Sequence, residues 1–409
     1  MGGVSMEWKE VTLGDFMQCN PKRTIKKGQK ARKITMDLLI PHSKTIRNWN
    51  YEPYSGGAKF QNGDTIMARI TPCLENGKHA FVSILDEGEI AYGSTEYFVF
   101  CGKEKVSDND FVYYLTKTPL FRDTAIKSMV GSSGRQRAQM DVLENLKMFV
   151  PKDISDQRRI ASILSSLDRK IELNNKINAD LEEMAQAIFK NWFVDFEPFK
   201  DGKFVDSELG MIPEGWKVGT IGDIVEFQNG FTFSSKDFSE NGEYKIITIK
   251  SVQDGCLVTE GSSKVTEYPT KMPAYCKLQS GDILLSLTGN VGRCCLVTET
   301  NLLLNQRVAK IKAKECYDNS FSYALFRLKE TKELLISISR GTAQANLSPV
   351  EASKLPMVIP SEDARKSFSM ISDSIMNKII SIHIENSRLS LLRDTLLPRL
   401  MSGELEVPE

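Results

Sequence analysis

Hydrophobic and polar positions along most of the chain form short apolar runs that end at Gly, Asn or Asp. Runs such as residues 65–70 and 96–100 have the composition of strands between turns. Residues 108–118 and 320–330 instead have the spacing of helices with one apolar face. This pattern predicts a mixed α/β or α+β domain in each half of the chain.

Two longer segments, at about residues 156–193 and 363–400, have the heptad spacing of coiled-coil helices. Each helix would extend over roughly 57 Å at a rise of ~1.5 Å per residue. Asn174 lies in the first heptad series, where a buried amide fixes the register of a helix pair. The two series are Ile160, Leu167, Asn174, Leu181 and Ile188, then Phe368, Ile375, Ile382, Leu389 and Leu396. Other apolar residues three positions after members of these series are Ile163, Ile177, Met184, Ile371 and Leu392.

A longer repeat relates the two halves of the chain. The matching segments are residues 8–15 with 216–223, 62–66 with 280–284, and 146–151 with 355–360. Their order is the same in both halves, and each half ends in a heptad helix, so we interpret the chain as a tandem duplication of a domain followed by a helix. Such a repeat favours antiparallel pairing of the two helices. The alternatives are two unrelated α/β domains that share Gly-Asp turns, and helices that each pack on their own domain.

The length of the chain, 409 residues, exceeds the ~250–300 residues at which a single core stops growing. Several domains are therefore expected. The predicted boundaries are 1–153 for a first domain, 154–196 for a central helix, 197–215 for a linker, 216–361 for a second domain and 362–409 for a C-terminal helix.

Composition excludes several classes of protein. Fifty-three basic residues balance 53 acidic ones, which is not typical of a free-standing nucleic-acid binder. The eight cysteines and three histidines have no metal-ligand spacing, so we expect reduced, mostly buried thiols and no metal site. No apolar run approaches the ~18 residues of a membrane span, and residues 1–11 lack a secretory signal. We therefore expect a cytoplasmic location and no membrane contact.

Several segments resemble the specificity subunits of Type I restriction-modification systems. Ser-Glu-Leu-Gly-Met-Ile-Pro-Glu-Gly-Trp at 207–216 is similar to the entry into their second recognition domain. The other similar segments are residues 68–78 and 93–96 in the first domain, 156–161 and 188–196 at the ends of the central helix, and 396–405 at the end of the second. The resemblance covers essentially the whole chain. Residues 363–366 keep only part of the helix start found at 156–161, which leaves the start of the second helix open.

The resemblance implies a non-catalytic subunit with two target-recognition domains separated by two long helices in an antiparallel coiled coil. Each domain would read one half of a bipartite target in double-stranded DNA, and the helices would set the spacer. Half-sites about one helical turn apart, ~34–36 Å, suit a two-fold related pair of readers. The implied partners are two methyltransferase subunits that use S-adenosylmethionine, and motor-nuclease subunits that use ATP and Mg²⁺. No cofactor is expected on this chain.

Two kinds of segment are candidates for DNA contact. A dense basic run is typical of phosphate binding, which gives affinity without sequence information; its alternative is a solvated lysine-rich loop. This run contains Lys22, Arg23, Lys26, Lys27, Lys30, Arg32 and Lys33. Glycine-flanked Arg, Gln and Asn are typical of contacts to base edges; the alternative is ordinary Gly-rich turns. The remaining DNA-facing candidates are Arg69, Ser133, Arg135, Gln136 and Arg137, then Thr288, Asn290, Arg293, Gln306, Arg307, Arg340, Gln344 and Asn346.

Other functions have less support in the sequence. The Asn/Asp-Pro-Pro-Tyr/Phe motif of amino-methyltransferases is absent, as are a Walker loop and a Gly-x-Gly-x-x-Gly turn. Glu-x-Lys matches at residues 7–9 and 330–332 are too common to indicate a nuclease. A coiled-coil scaffold without DNA specificity would explain the helices and the balanced charge, but not the resemblance across the domains. We also expect the isolated chain to bind DNA poorly, and the target bases cannot be read from one sequence.

Overall fold

The computed structural model describes residues 6–341 and 345–407. It has mixed helix and strand content and divides into two compact units. The first unit contains the residues up to Leu173 together with those from Arg388 onward, and the second is Asn174–Ser387. The first long helix, Ile154–Phe193, and the second long helix, Glu362–Met401, have 40 residues each. Each long helix contributes residues to both units.

The first unit begins with short strands and continues into helices. Its strands are β1 (Trp8–Thr12), β2 (Met17–Cys19), β3 (Lys30–Ile34), β4 (Asn50–Pro53), β5 (Lys59–Phe60), β6 (Thr65–Ala68), β7 (His79–Phe81), β8 (Ala91–Gly93), β9 (Tyr97–Gly102) and β10 (Lys147–Pro151). Its shorter helices are Leu13–Phe16, Asn109–Leu115, Pro119–Lys127 and Met140–Glu144, with a 3₁₀ turn at Met36–Leu38.

Three sheets organise the first unit. The order β2-β9-β6-β7 gives an antiparallel sheet, while the order β4-β3-β8-β5 gives a mixed sheet in which β3 and β8 run parallel. The strands β1 and β10 form a separate antiparallel pair. Strand β6 is buried at all four residues, because apolar side chains pack against both of its faces, as expected for a central strand.

The second unit contains the same kinds of element. Its strands are β11 (Phe204–Val205), β12 (Ile212–Pro213), β13 (Lys217–Thr220), β14 (Val225–Asn229), β15 (Tyr244–Ile247), β16 (Val252–Gln253), β17 (Cys256–Leu257), β18 (Lys264–Val265), β19 (Lys277–Leu278), β20 (Ile283–Ser286), β21 (Cys294–Leu296), β22 (Leu302–Leu304), β23 (Val308–Ala313) and β24 (Pro356–Ile359). Its shorter helices are Ile221–Ile224, Asn319–Arg327, Lys329–Ser337 and Pro349–Ser353, with 3₁₀ turns at Glu197–Phe199, Ser235–Asp237, Ala274–Cys276 and Cys316–Asp318.

The sheets of the second unit repeat those of the first. The orders β14-β23-β20-β21 and β18-β15-β22-β19 match the two four-stranded sheets strand for strand, and β15 with β22 is again the parallel pair. Strands β13 and β24 pair as β1 and β10 do. The short pairs β11–β12 and β16–β17 have no counterpart among the described residues. The tandem duplication predicted from the sequence is therefore confirmed by the topology.

The second long helix begins where general capping rules place it. The Ser361 hydroxyl oxygen accepts a hydrogen bond from the Ala364 amide at 3.3 Å, and Glu362 and Asp363 lie in the first turn, where acidic groups favour the helix dipole. After the helix ends at Met401, Gly403 adopts a φ of +77°, a conformation that glycine permits beyond a helix end. The start of this helix, left open by the partial motif, is thus Glu362.

The long helices join the core of each unit. In the first unit, Ile160 and Leu164 of the first long helix lie in the same buried cluster as Leu397 and Leu400 of the second. In the second unit, Phe189 packs against Phe368 with their ring centroids 5.8 Å apart. The long helices therefore share a hydrophobic core within each unit.

The heptad positions differ in burial. Of the two predicted series, Ile160, Asn174, Phe368 and Ile382 are buried, and Leu167, Leu181, Ile188, Ile375, Leu389 and Leu396 are half-buried. The additional apolar positions were wrong in part, because Met184, Ile371 and Leu392 are 52%, 44% and 47% exposed. In place of Ile371 and Leu392, the second long helix buries another line of side chains, which contains Ser372, Ile379, Arg393 and Leu400.

Candidate nucleic-acid interface

The basic run of the first unit separates into two kinds of residue. Lys22, Lys26, Lys27 and Lys30 are exposed, and no ion pair links them to a carboxylate of residues 6–341 or 345–407. Lys22, Lys26 and Lys27 lie in the loop between β2 and β3, and Lys30 is the first residue of β3. Their ammonium groups are therefore available to an anionic partner.

Arg23 is held inside the unit. Its Nη2 donates to Asp64 Oδ1 at 2.7 Å, and the Asp64 side chain is almost fully buried. Burial raises the pKa of Asp64, although the Arg23 guanidinium acts in the opposite direction. Because its partner Asp64 is buried, Arg23 stabilises the folded domain in addition to carrying positive charge in the basic run.

Arg32 and Lys33 also have internal partners. The Arg32 guanidinium forms ion pairs with Asp86 at 3.0 Å and Glu89 at 3.3 Å and lies 4.9 Å from the centroid of the Trp49 ring. It also donates to the Ile84 carbonyl. Lys33 Nζ lies 2.8 Å from Glu52 Oε2. These carboxylates neutralise the charges of Arg32 and Lys33, which the sequence analysis assigned to the basic run.

A groove of about 580 Å³ in the first unit collects cationic and polar side chains. Lys22, Lys59, Arg69 and Thr95 line it. Next to Thr95, the Glu96 carboxylate accepts from Arg137 Nε and Nη2 at 2.7–3.0 Å. These hydrogen bonds hold the pKa of Glu96 below its usual value, so the carboxylate stays charged. Arg69 Nε lies 3.6 Å from the same carboxylate.

The glycine-rich loop at residues 131–136 lies next to Arg137. Gly131 and Gly134 have φ values of +135° and +78°, which other residues rarely adopt. Ser133 and Arg135 are exposed. The Gln136 backbone is fixed, because its amide donates to Thr71 Oγ1 at 2.8 Å and its carbonyl accepts from the same hydroxyl at 3.1 Å. The loop thus presents Arg135 on a backbone anchored at Gln136.

The second unit has a groove of about 770 Å³ that brings together four of the predicted residues, Thr288, Gln306, Arg307 and Asn346. Gln306 Oε1 accepts from the Thr232 hydroxyl at 2.7 Å. The Thr288 hydroxyl is buried without a hydrogen-bond partner in the described part of the chain. Arg307 and Asn346 are exposed. The groove therefore combines a cation with two carboxamides and a hydroxyl, all suited to hydrogen bonding.

The other predicted residues of the second unit do not line this groove. Asn290 is exposed on the turn between β20 and β21, and the Arg293 guanidinium donates to Gln253 Oε1. Arg340 is exposed, and its amide donates to the Asn346 carbonyl at 2.9 Å. Gln344 lies outside the described residues.

Backbone hydrogen bonds show that the two grooves occupy equivalent places. The Arg69 amide donates to the Glu96 carbonyl at 2.9 Å, and the Leu287 amide donates to the Arg307 carbonyl at 3.0 Å. Both donors directly follow the equivalent strands β6 and β20, and both acceptors directly precede β9 and β23. Glu96 and Arg307 are therefore structural equivalents, as are Arg69 and Leu287.

A second match relates Arg137 to Asn346. Each of these residues forms isolated β-bridges to two other segments of its own unit. The bridges are Ile70 with Arg137 and Val130 with Arg137 in the first unit, and Thr288 with Asn346 and Arg340 with Asn346 in the second. The same backbone frame thus carries Arg69, Glu96 and Arg137 in one unit and Leu287, Arg307 and Asn346 in the other.

The sequence interpretation missed Thr95 and Lys59, which line the first groove, and Glu96, which directly follows Thr95 and binds Arg137. A carboxylate does not suggest contact with an anion, so Glu96 does not stand out in the sequence. An alignment of the residues that precede β9 and β23 would have paired Glu96 with Arg307, which was already a candidate.

Other kinds of site have no support among the described residues. Within residues 6–341 and 345–407, no group of three or more His, Cys, Asp or Glu side chains could hold a metal ion. No helix in these ranges is long and apolar enough to cross a membrane. Burial raises the pKa of the Cys19 thiol to about 12 and that of the Cys101 thiol to about 11.

The family model and the relatives that match this chain point to the same family. The family described as Type I restriction modification DNA specificity domain matches residues 6–183 and again 213–389. The chain is 29% identical over 307 residues to the Type I restriction enzyme MjaIX specificity subunit of Methanocaldococcus jannaschii, covering 74% of this chain and 70% of that protein. It is 26% identical over 467 residues to the HindI specificity subunit of Haemophilus influenzae, covering 98% and 100%.

A solved structure has the same fold. The crystal structure of a Type I restriction-modification system S subunit from M. genitalium matches with a TM-score of 0.51 at 15% identity, covering 100% of this chain and 98% of that one. The likeness therefore extends over both units.

Proposed function

The chain belongs to the Type I restriction modification DNA specificity family, and from this premise we propose how it recognises DNA. It is a non-catalytic DNA sequence-recognition subunit, like the specificity subunits to which it is similar. The observation that carries the proposal is the pair of equivalent grooves, one in each matched domain, which have the same backbone frame and different side chains. A shared backbone arrangement that carries two different sets of side chains suits the recognition of two different short DNA sequences.

We propose that each groove binds one half of a bipartite target in double-stranded DNA. Arg, Asn and Gln side chains make paired hydrogen bonds to base edges in the major groove. The first domain supplies Arg69, Ser133, Arg135, Gln136 and Arg137, and the second supplies Thr288, Asn290, Arg293, Gln306, Arg307, Arg340, Gln344 and Asn346. These side chains would determine sequence preference.

The exposed lysines would contribute affinity. Lys22, Lys26, Lys27 and Lys30 have no internal ion pairs in the described chain, which suits contacts with phosphates. Arg23, Arg32 and Lys33 extend the positive potential of the same run, although their charges are partly neutralised by Asp64, Asp86 and Glu52. We expect this second group to contribute less to binding.

The two long helices would form an antiparallel coiled coil that sets the spacer between the half-sites. Contacts within each unit support this pairing: Asp168 accepts from Arg393 at 2.7 Å in the first, and Asn174 donates to Asn386 at 2.9 Å in the second. The functional division is then 1–153 and 216–361 for the recognition domains, 154–196 and 362–409 for the helices, and 197–215 for the linker.

The partners would bind to these helices. Leu173 and Leu391 in the first unit, and Met184 and Met370 in the second, are exposed apolar side chains on the long helices. We propose that two methyltransferase subunits, which use S-adenosylmethionine, dock there, and that motor-nuclease subunits with ATP and Mg²⁺ join the complex in the cytoplasm. A scaffold without DNA specificity is less favoured, because the family match covers both domains.

A selection experiment tests DNA recognition. The complex assembled with its methyltransferase subunits is mixed with duplexes of randomised sequence, and bound DNA is sequenced. We expect a bipartite motif that is lost when this chain is omitted. The same motif obtained without this chain, or no motif with it, would contradict the proposal.

A helix-length experiment tests the spacer. One heptad is inserted into the first long helix and a matching heptad into the second, which preserves the pairing of apolar positions. We expect both half-sites to stay the same while the number of unspecified base pairs between them changes. Altered half-sites with an unchanged spacer would show that the helices do not set the distance.

A further inference from the structure

Glu96 contacts one edge of the Arg137 guanidinium and leaves the opposite donors available. Arg137 Nε lies 3.0 and 2.9 Å from the two Glu96 carboxylate oxygens, and Nη2 lies 2.7 Å from Oε1. A guanidinium has five N–H donors, so two on Nη1 and one on Nη2 remain. The Arg137 side chain is 41% exposed, whereas that of Glu96 is 22% exposed. The outer edge of Arg137 is therefore accessible to a ligand with two adjacent acceptors.

The backbone also fixes Arg137. Its amide donates to the Val130 carbonyl at 2.9 Å, and its carbonyl accepts from the Val130 amide at 3.0 Å. Arg137 is thus held both at its backbone and at its guanidinium. An arginine ordered before binding loses less conformational entropy when it forms its contact, which favours affinity and selectivity.

The same frame in the second unit carries different chemistry. Asn346 occupies the place of Arg137, and Arg307 occupies the place of Glu96. The Asn346 backbone is fixed in the same way, because its amide donates to the Arg340 carbonyl at 2.8 Å. A carboxamide offers one donor and one acceptor side by side, which matches N7 and N6 of adenine, while the end of a guanidinium matches O6 and N7 of guanine.

We propose that residues 137 and 346 are the equivalent base-reading positions of the two domains: Arg137, positioned by Glu96, reads a guanine in the first half-site, and Asn346 reads an adenine in the second. Glu96 is a positioning residue that does not itself contact DNA. This inference rests on the proposed function and adds to it the identity of one base in each half-site. Arg307 lies beside the reader of the second domain and has no ion pair with a described carboxylate, so it remains available to a phosphate or a neighbouring base.

The test uses the assembled complex and the motif selected by the wild-type protein. Duplexes with the cognate site and with every single-base substitution are titrated at fixed salt. Arg137→Ala should reduce the preference for guanine at one position of the first half-site by about 5- to 150-fold, the range that one paired contact supports. Glu96→Gln should reduce the same preference less, and Glu96→Asp should retain part of it. Asn346→Ala should relax an adenine position of the second half-site only.

Glu52→Gln is the matched control, because Glu52 is also a carboxylate paired with a cation of the same domain, but its partner is Lys33 and not Arg137. It should leave both half-sites unchanged. The inference is overturned if the selected motif lacks a guanine in the first half-site, if Arg137→Ala weakens all duplexes equally, or if Glu96→Gln lowers stability without changing base preference. A wild-type complex that selects no sequence would instead contradict the proposed function itself.

Discussion

The buried ion pair between Asp168 and Arg393 provides the sharpest test of how the long helices are held together in the first unit. The two side chains are 6% and 7% exposed, and Arg393 Nη1 lies 2.7 Å from Asp168 Oδ1. The Tyr114 hydroxyl donates to the other carboxylate oxygen at 2.6 Å. The perturbation is Asp168→Ala, which removes the acceptor for both groups.

The cost follows from what this substitution leaves behind. Arg393 would keep its ion pair with Asp394, whose carboxylate is 58% exposed and therefore screened by water. The buried Tyr114 hydroxyl would lose its acceptor. Removing one partner of a buried ion pair costs about 3–5 kcal/mol, because the remaining charge is left without compensation. We expect the free energy of unfolding of the first unit to fall by that amount.

Urea unfolding followed by tryptophan fluorescence measures the change, since Trp8 and Trp49 lie in this unit. Glu10→Ala is the control, because its ion pair with Lys147 is solvated and should contribute little. The double substitution Asp168→Leu/Arg393→Leu should recover much of the loss, because it buries no unpaired charge. The reasoning is refuted if Asp168→Ala costs no more than Glu10→Ala, or if the double variant is no more stable than the single one.

Three further predictions follow from other buried or exposed polar groups. Asn174→Ala should lower the free energy of unfolding by ~1–3 kcal/mol in urea titrations, because it removes hydrogen bonds to the second long helix. Asn178→Ala should lower it less, because the buried Asn178 amide has no hydrogen-bond partner in the described chain. Burial lowers the pKa of Lys117 from 10.5 to about 8, so the folded state binds this proton less tightly than the unfolded state. Lys117→Met should therefore stabilise the protein by roughly 3 kcal/mol at pH 7, and the gain should shrink as pH rises from 8 to 10.5 in unfolding curves; an unchanged gain would contradict this. Replacing Lys26 and Lys27 by Ala should lower affinity for all duplexes and reduce the salt-dependence slope by about one unit per contact, and a changed base preference in competition titrations would contradict their assignment to phosphates.

The sequence predicted the duplication from three ordered pairs of matching segments, and it predicted both long helices because their heptad spacing reflects periodic burial. It predicted one line of buried and half-buried positions along each long helix, and it missed part of a second line. In the second long helix the missed line contains Ser372 and Arg393, whose side chains are buried through hydrogen bonds to groups distant in the sequence. An apolar pattern cannot reveal a buried polar position when its partner comes from another segment.

The candidate interface shows a similar limit. Basic residues were identified from composition, but Arg23 and Arg32 have carboxylate partners that lie 41 and 54 positions away in the chain. Such pairing depends on which strands become neighbours. Glu96 was missed for the same reason, since its importance comes from Arg137, which reaches it across the fold.

Mapping the methylated bases in DNA modified by the assembled complex tests the central claim most directly. Sequencing that detects methylated bases should give a motif with two short defined halves separated by a fixed number of unspecified base pairs. Arg137→Ala should broaden one half, and Asn346→Ala should broaden the other. A single uninterrupted motif, or one substitution that broadens both halves, would contradict the assignment of one half-site to each unit.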